Sequence, residues 1–281
     1  GEITQQWRLD GAITNADAQD RWMLTTPVSY PADGTAMSTL RKSAANIRLG
    51  EYIADATAES IARYGLDTPR LVIRLHQAAG TIGAVGTTGS YATTDYPEAT
   101  ITLVIGEQES DLVDYVLYNG GIYRCSTLLL RGVMNADWQE TITRYPVLTA
   151  LGNLASLSRE TADGVDTWVI TRTEQVAENN ELVTDDEGNQ VYDITLMKNG
   201  ESADYTAFSA AYNQLMMVTM SGRLPDGWTA ADAPHTVWTF TDVDGTVHTV
   251  ALTRYDAMHD AVAIDGVALF YLIQGGFSLG I

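Results

Sequence analysis

Apolar and polar residues recur along the chain with two periods, which together predict a mixture of strands and helices. Alternating or continuous apolar stretches predict strands in the first half at residues 3–9, 22–28, 71–75, 101–105, 115–118 and 122–125. Apolar residues every three or four positions predict helices over 35–48 and 205–220, each with one buried stripe. A shorter helix is expected over 57–64, ended by Gly65, and Asn119-Gly120 predicts a tight hairpin turn.

The second half repeats this order. Strands are predicted over 168–173, 191–197 and 237–240, and Asp265-Gly266 predicts a hairpin turn like that of Asn119-Gly120. Both long helices space their apolar residues by three, four and three positions. We therefore predict an α+β fold of two similar units, residues 1–150 and 151–281, each a mostly antiparallel sheet with a helix packed on one face. An internal duplication explains the repeat; the alternative is a loose match between two unrelated strand–helix–strand stretches.

The composition and charge of the chain disfavour some classes of function. The 281 residues include 36 acids against 16 Lys and Arg, a formal net charge of −20, which disfavours nucleic-acid partners and anionic membrane surfaces. The single cysteine, Cys125, excludes an internal disulfide and is expected to be a buried strand residue. The sequence contains no apolar run of membrane-spanning length, and it opens with Gly1-Glu2, without Met or a signal peptide, so we expect a processed chain from which any membrane anchor has been removed.

A Gly-rich insertion at residues 78–97 has a glycine at every third position, without the Lys or helix start of a phosphate-binding loop. We predict a mobile surface loop there. Tyr91 and Tyr96 on this loop, with Trp138 and Trp228 in other predicted loops, are the candidate contact residues for a partner or a sugar. Trp22 and Trp238 lie in strand patterns, which favours burial.

Known reaction and metal motifs are missing from the sequence. The acidic turns at residues 185–189 and 242–245 lack the ligand spacing of a calcium loop, and the four histidines lack metal-ligand spacing. GxSxG, SxxK and HExxH are absent. We therefore predict no catalytic residue, no cofactor and no metal. A hydrolase whose acids or histidines converge only in space is the third-ranked hypothesis.

Several of these segments together resemble a known family, DUF4340, whose members are bacterial extracytoplasmic domains. The resemblance is strong in the first half and weak in the second, and it rests on residues 22–28, Ala32-Asp33, Leu40, residues 64–69 (YGLDTP), Ile105-Gly106, Tyr115 and Tyr123. It implies an N-terminal membrane anchor, a location outside the cytoplasm and, for some relatives, proximity to ABC-type transporter components or gliding-motility-type export systems. It implies no catalytic residue.

The leading hypothesis is a non-catalytic, extracytoplasmic, membrane-tethered interaction module. Its partner would be a protein of a transport or envelope complex. The alternative is a module that binds carbohydrate or peptide through loop aromatics. The sequence does not predict the oligomeric state or the orientation of the two units.

Overall fold

The computed structural model describes residues 8–10, 22–77, 79–85, 91–177, 182–185, 187–188 and 190–280. The chain divides into two compact units, residues 1–27 with 32–142 and residues 28–31 with 143–281. Strands account for 47% of the structure and helices for 19%, and the sheets are mostly antiparallel, which confirms the predicted α+β class.

The helices and strands are numbered in chain order. Up to residue 142 they are β1 (Arg8–Asp10), β2 (Met23–Thr26), β3 (Tyr30–Pro31), α1 (Gly34–Ala45), β4 (Leu49–Asp55), α2 (Ala58–Arg63), β5 (Leu71–Gln77), β6 (Gly80–Val85), β7 (Tyr91–Tyr96), β8 (Ala99–Ser110), β9 (Val113–Tyr118), β10 (Gly121–Ser126), α3 (Thr127–Met134) and α4 (Trp138–Thr141). After a 3-10 turn (Leu151–Asn153) come β11 (Leu154–Thr161), β12 (Gly164–Glu174), β13 (Tyr192–Lys198), β14 (Glu201–Ala203), α5 (Tyr205–Met216), β15 (Gly222–Arg223), β16 (Thr236–Asp242), β17 (Val247–Arg254), β18 (His259–Ile264) and β19 (Val267–Ile273).

Local sequence explains the start of three of the helices, α1, α2 and α5. The Asp33 side chain accepts a hydrogen bond from the Ala36 N–H and so caps α1. Thr57 and Ser60 form a capping box at α2. Asp204 caps α5 by accepting from the N–H groups of Thr206 and Ala207. These bonds satisfy backbone donors that the helices themselves leave unpaired.

The first unit is built around a five-stranded antiparallel sheet in the order β4-β10-β9-β8-β5. One face of this sheet carries the apolar core, which α3 covers with Leu130, Val133 and Met134. Asn119 and Gly120 both have positive φ, as a two-residue hairpin turn between β9 and β10 requires. The predicted hairpin is therefore confirmed.

The second unit is built around a nine-stranded antiparallel sheet in the order β14-β13-β12-β11-β16-β17-β18-β19-β15. Its core centres on the fully buried rings of Trp168 and Trp238, which stack 6.4 Å apart between centroids. From α5, Phe208 lies 6.3 Å from the Trp168 ring, and the Tyr212 hydroxyl donates to the Thr149 carbonyl at 2.9 Å. The predicted burial of Trp238 is confirmed, whereas Trp22 is only partly buried.

The two sheets share one order of strands. In the first unit, β4, the strand that follows α1, lies beside the last strand, β10. Strands β9, β8 and β5 come next, in the reverse of their order along the chain. The last five strands of the second unit repeat that order, β15-β19-β18-β17-β16, after α5. The units differ at the end of the order, because β16 also pairs with β11 whereas β5 is an edge strand. The duplication itself stays a prediction.

The Gly-rich insertion differs from the prediction. Its described residues form a two-stranded ribbon of β6 and β7 with six paired positions, from Gly80↔Tyr96 to Val85↔Tyr91, instead of a loop. Residues 78 and 86–90 lie outside the described part. Glycine carries no side chain that could signal a strand, yet its backbone can still pair with a neighbouring strand. The glycine spacing was therefore a poor guide to structure.

Candidate functional site

The four predicted contact residues lie in different settings. Tyr91 and Tyr96 are the first and last residues of β7, and their side chains lie outside the described part. Trp138 begins the short helix α4, so its placement in a loop was wrong; Asp137 caps that helix by accepting from the Gln139 N–H. Trp228 does lie in a loop, between β15 and β16, and its ring is partly buried.

Trp228 belongs to a group of rings in the second unit that we call the aromatic cluster: Trp228, Tyr255, His259 and Tyr271. Tyr255 stacks on Tyr271 with ring centroids 5.3 Å apart, Trp228 meets Tyr255 edge to face at 6.0 Å, and His259 meets Tyr271 at 4.9 Å. All four side chains are partly exposed. Such pairs hold the rings in fixed orientations while part of their surface stays in contact with water.

A carboxylate and an amide border the aromatic cluster. Asp256 accepts from the N–H groups of Met258 and His259 at 2.7 and 2.9 Å and lies 2.9 Å from His259 Nδ1. These hydrogen bonds lower the pKa of Asp256 below its ordinary value. The bond from the Met258 N–H has the largest effect, and the bond to the His259 ring has the next largest. Gln274 donates to the Asp256 carbonyl at 3.1 Å. The cluster thus combines apolar ring surface with fixed polar groups.

Sequence reasoning found only Trp228 in this cluster. Tyr255 and Tyr271 come together because β17, β18 and β19 are neighbours, with Ala261 of β18 opposite Tyr271 of β19. Their sequence positions carry no local pattern that distinguishes them from core aromatics. Only the strand register could have indicated the cluster.

A second constellation, in the first unit, unites three of the segments that carry the family resemblance: residues 64–69, Ile105-Gly106 and Tyr115. We call it the strap joint: residues 64–70 lie against the bulge of β8 at Gly106. Gly65 has φ +64°, and the Tyr64 carbonyl accepts from the Glu107 N–H at 2.9 Å. A Cβ at Gly106 would lie 2.3 Å from the Tyr64 carbonyl oxygen and 2.9 Å from a Leu66 methyl group. The glycine is therefore required by the close approach of two backbones.

Arg70 connects the strap joint to strands β8 and β9 of the sheet. Its Nε donates to the Gly106 carbonyl at 2.7 Å, and its guanidinium contacts the fully buried carboxylate of Asp114 on β9. Beside them, the ring of Tyr64 lies 4.5 Å from that of Tyr115. A charged hydrogen bond to a buried carboxylate is among the stronger contacts in proteins, because little water competes for it.

The second unit has a similar arrangement of charge. Asp260 on β18 is almost fully buried, with His235 Nε2 at 3.2 Å and an Arg254 nitrogen at 3.5 Å from its carboxylate. Positions 114 and 260 are 146 residues apart, the same separation as the hairpin turns at 119 and 265. Positions 70 and 235 are 165 apart, and each directly follows a proline.

The remaining candidates for chemistry have structural surroundings. Cys125 is buried as predicted, its Sγ lies 3.4 Å from the Arg48 carbonyl, and burial raises the pKa of its thiol. Across the described ranges, no three His, Cys, Asp or Glu side chains are grouped closely enough to hold a metal ion. The described helices include none long and apolar enough to cross a membrane.

The fold defines a class of protein, a two-unit, predominantly antiparallel α+β domain, in which the strap joint holds residues 64–70 against the sheet of the first unit. The family model described as Domain of unknown function (DUF4340) matches residues 22–236, and this chain belongs to that family. The matched range runs from just before β2 to the first residue of β16 and so includes strands of both units. No curated protein and no solved structure matches the chain.

Proposed function

We propose that this chain is a non-catalytic interaction module that acts outside the cytoplasm, tethered to a membrane through an N-terminal anchor. Its partner would be a protein of a transport or envelope complex. The observation that carries the proposal is the strap joint, because three residues of the family resemblance, Gly65, Leu66 and Gly106, hold the fold of the first unit together. In each of them the structural contact accounts for the residue type.

The chemistry of these three residues supports the proposal. Gly65 is needed for a positive φ, and Gly106 for a backbone approach that leaves no room for a side chain. Leu66 is buried, and Arg70, the residue that follows the YGLDTP segment, contacts Asp114. A family that shares such residues shares a scaffold, and scaffolds act through the surfaces that they present.

Affinity purification tests this proposal. The tagged full-length protein is crosslinked in native membranes, purified and compared by quantitative mass spectrometry with an equally abundant tagged envelope protein. We expect enrichment of one transporter or envelope component and recovery in the membrane fraction. A protein found free in the cytoplasm, or one that enriches no such component, would contradict the proposal.

The aromatic cluster favours a second candidate function, the binding of a carbohydrate. Sugar rings present C–H faces that pack on aromatic rings and hydroxyls that bind carboxylates and amides, and Trp228, Asp256 and Gln274 offer these groups. On a glycan array, Trp228→Ala should abolish any hit of the unmodified protein, whereas Trp138→Ala should leave it unchanged. An array without hits would refute this candidate.

We also infer that the two units descend from one ancestral element. Helices α1 and α5 both contain 12 residues, and their capping aspartates, at positions 33 and 204, are 171 residues apart. The order of strands after each helix agrees, as do the positions of the buried Asp114 and Asp260. Separate sequence profiles built from homologues of each unit should detect one another; profiles without mutual similarity would contradict a duplication.

A further inference from the structure

The strand β5 has one hydrogen-bonding edge that no described strand occupies. Its seven residues pair with β8 in an unbroken register, from Leu71↔Ile105 to Gln77↔Ala99. It contains no proline and no bulge, which are two of the devices that prevent further pairing at a sheet edge. This edge is therefore geometrically ready to accept another strand.

The second unit shows what such an edge can hold. There, β16 occupies the place in the strand order that β5 has in the first unit, and β11 lies antiparallel along its other side. The two strands pair over seven positions, from Leu154↔Asp242 to Thr161↔Thr236. The same sheet design is thus extended by an additional antiparallel strand in one unit and left open in the other.

The side chains of β5 indicate the chemistry of a strand that would fit. The side chains of Val72, Arg74 and His76 lie on one face of the strand, and that of Val72 is 37% exposed. On the other face Leu75 is 38% exposed, beyond the buried Ile73. Arg74 is exposed, and within the described part of the chain it has no ion-pair partner.

We propose that the open edge of β5 takes up an extended segment of a partner protein as an additional antiparallel strand, with alternating apolar and acidic residues. Acidic side chains would lie beside Arg74, and apolar side chains would cover Leu75 and its neighbours. A second copy of the chain, pairing β5 with β5, would bring the two Arg74 side chains onto one face, where they repel. The inference rests on the proposed interaction function and names its surface.

Photo-crosslinking with defined peptides tests this edge. The probes are fluorescent ten-residue peptides in which valine or threonine alternates with glutamate, each carrying a benzophenone, and a matched set with a central proline that cannot form a continuous strand. We expect crosslinks to residues 71–77 with the first set only. Affinity should fall about tenfold in Arg74→Glu, because an attraction becomes a repulsion. It should stay within about twofold in Arg131→Glu, which changes the net charge equally on the exposed side of α3.

Other results of these experiments would contradict the strand-addition site. Crosslinks outside residues 71–77, equal binding of the proline peptides, or equal affinities of the two charge variants would overturn the strand-addition site, as would the absence of any crosslink. Purification of Arg74→Glu from native membranes separates this inference from the proposed function. If the variant retains the partner of the unmodified protein, the edge is not the contact surface, although the interaction module stands.

Discussion

Replacing Gly106 by alanine should loosen the strap joint without altering any charged or aromatic residue. The added Cβ would lie 2.3 Å from the Tyr64 carbonyl oxygen and 2.9 Å from a Leu66 side-chain carbon. The first of these contacts is with a backbone atom, so either β8 or residues 64–70 must move. The substitution therefore tests whether the residues that carry the family resemblance hold the first unit together.

The expected cost follows from what the movement disturbs. Overpacking of this kind costs roughly 1–3 kcal/mol. Displacing residues 64–70 also weakens two hydrogen bonds. One runs from the Glu107 N–H to the Tyr64 carbonyl, and the other from Arg70 Nε to the Gly106 carbonyl. The net contribution of such a bond is roughly 0.5–1.5 kcal/mol, and roughly 1.5–3 kcal/mol where one partner is charged. We expect a total destabilisation of about 3 kcal/mol, since the two costs overlap when the strap moves.

Hydrogen exchange measured by mass spectrometry is the appropriate assay, because it reports the opening of each peptide separately. Peptides covering residues 58–77 and 99–118 should lose protection by roughly a hundredfold, which corresponds to about 3 kcal/mol. Peptides from β16 to β19 should be unaffected. Gly34→Ala is the control, because a Cβ there meets nothing within 4 Å. Equal protection in Gly106→Ala and Gly34→Ala would refute the reasoning.

Three further outcomes are expected. Asp114→Asn removes the charge that Arg70 contacts, and we expect a loss of about 1–3 kcal/mol in urea unfolding, less than for a fully buried pair because Arg70 is 35% exposed; an unchanged midpoint would contradict this. The Cys125 thiol, whose pKa is raised by burial, should react with iodoacetamide at pH 8 only as fast as the first unit opens, and rapid labelling of the native protein would contradict this. The lowered pKa of Asp256 means that its carboxylate stabilises the fold at neutral pH and that this contribution disappears as pH falls below about 4. Acidification from pH 6 to 3 should therefore lower the urea midpoint more in the unmodified protein than in Asp256→Asn.

Features that depend on neighbouring residues could be predicted well. The stripe of Met37, Leu40 and Ala44 predicted α1, and Asn119-Gly120 predicted the hairpin that joins β9 and β10. Gly65 ends α2 with a positive φ, as expected. In each case the interactions that decide the conformation lie within a few positions of one another.

Other elements were missed where local pattern and environment disagree. Strand β4 has exposed residues at its centre and lies at a sheet edge, so its sequence lacks a clear alternation. Helix α3 begins directly after β10 without a break, and its apolar Leu128, Leu129 and Leu130 suit a strand equally well. The ribbon of β6 and β7 was hidden by glycines that indicate flexibility when taken alone.

The candidate sites were even less accessible to sequence reasoning. Arg70 and Asp114 are 44 residues apart and meet only because β5, β8 and β9 are adjacent. Trp228 was selected as a candidate, but its companions Tyr255 and Tyr271 were not. Pairing of distant strands sets these contacts, and a single sequence records that pairing only indirectly.

By itself, the amino-acid sequence determined the helical stripes, the end of α2 at Gly65, the turns with positive φ and the family to which the chain belongs, because each depends on short-range contacts or on a recognisable run of residues. Only the tertiary structure decided the strand order, the closure of the strap on Gly106, the grouping of the aromatic cluster and the open edge of β5. These features arise from backbone pairing between segments far apart in the chain. A strand's side chains favour pairing only in the context of the neighbours that the fold supplies, so no local pattern identifies the partner strand.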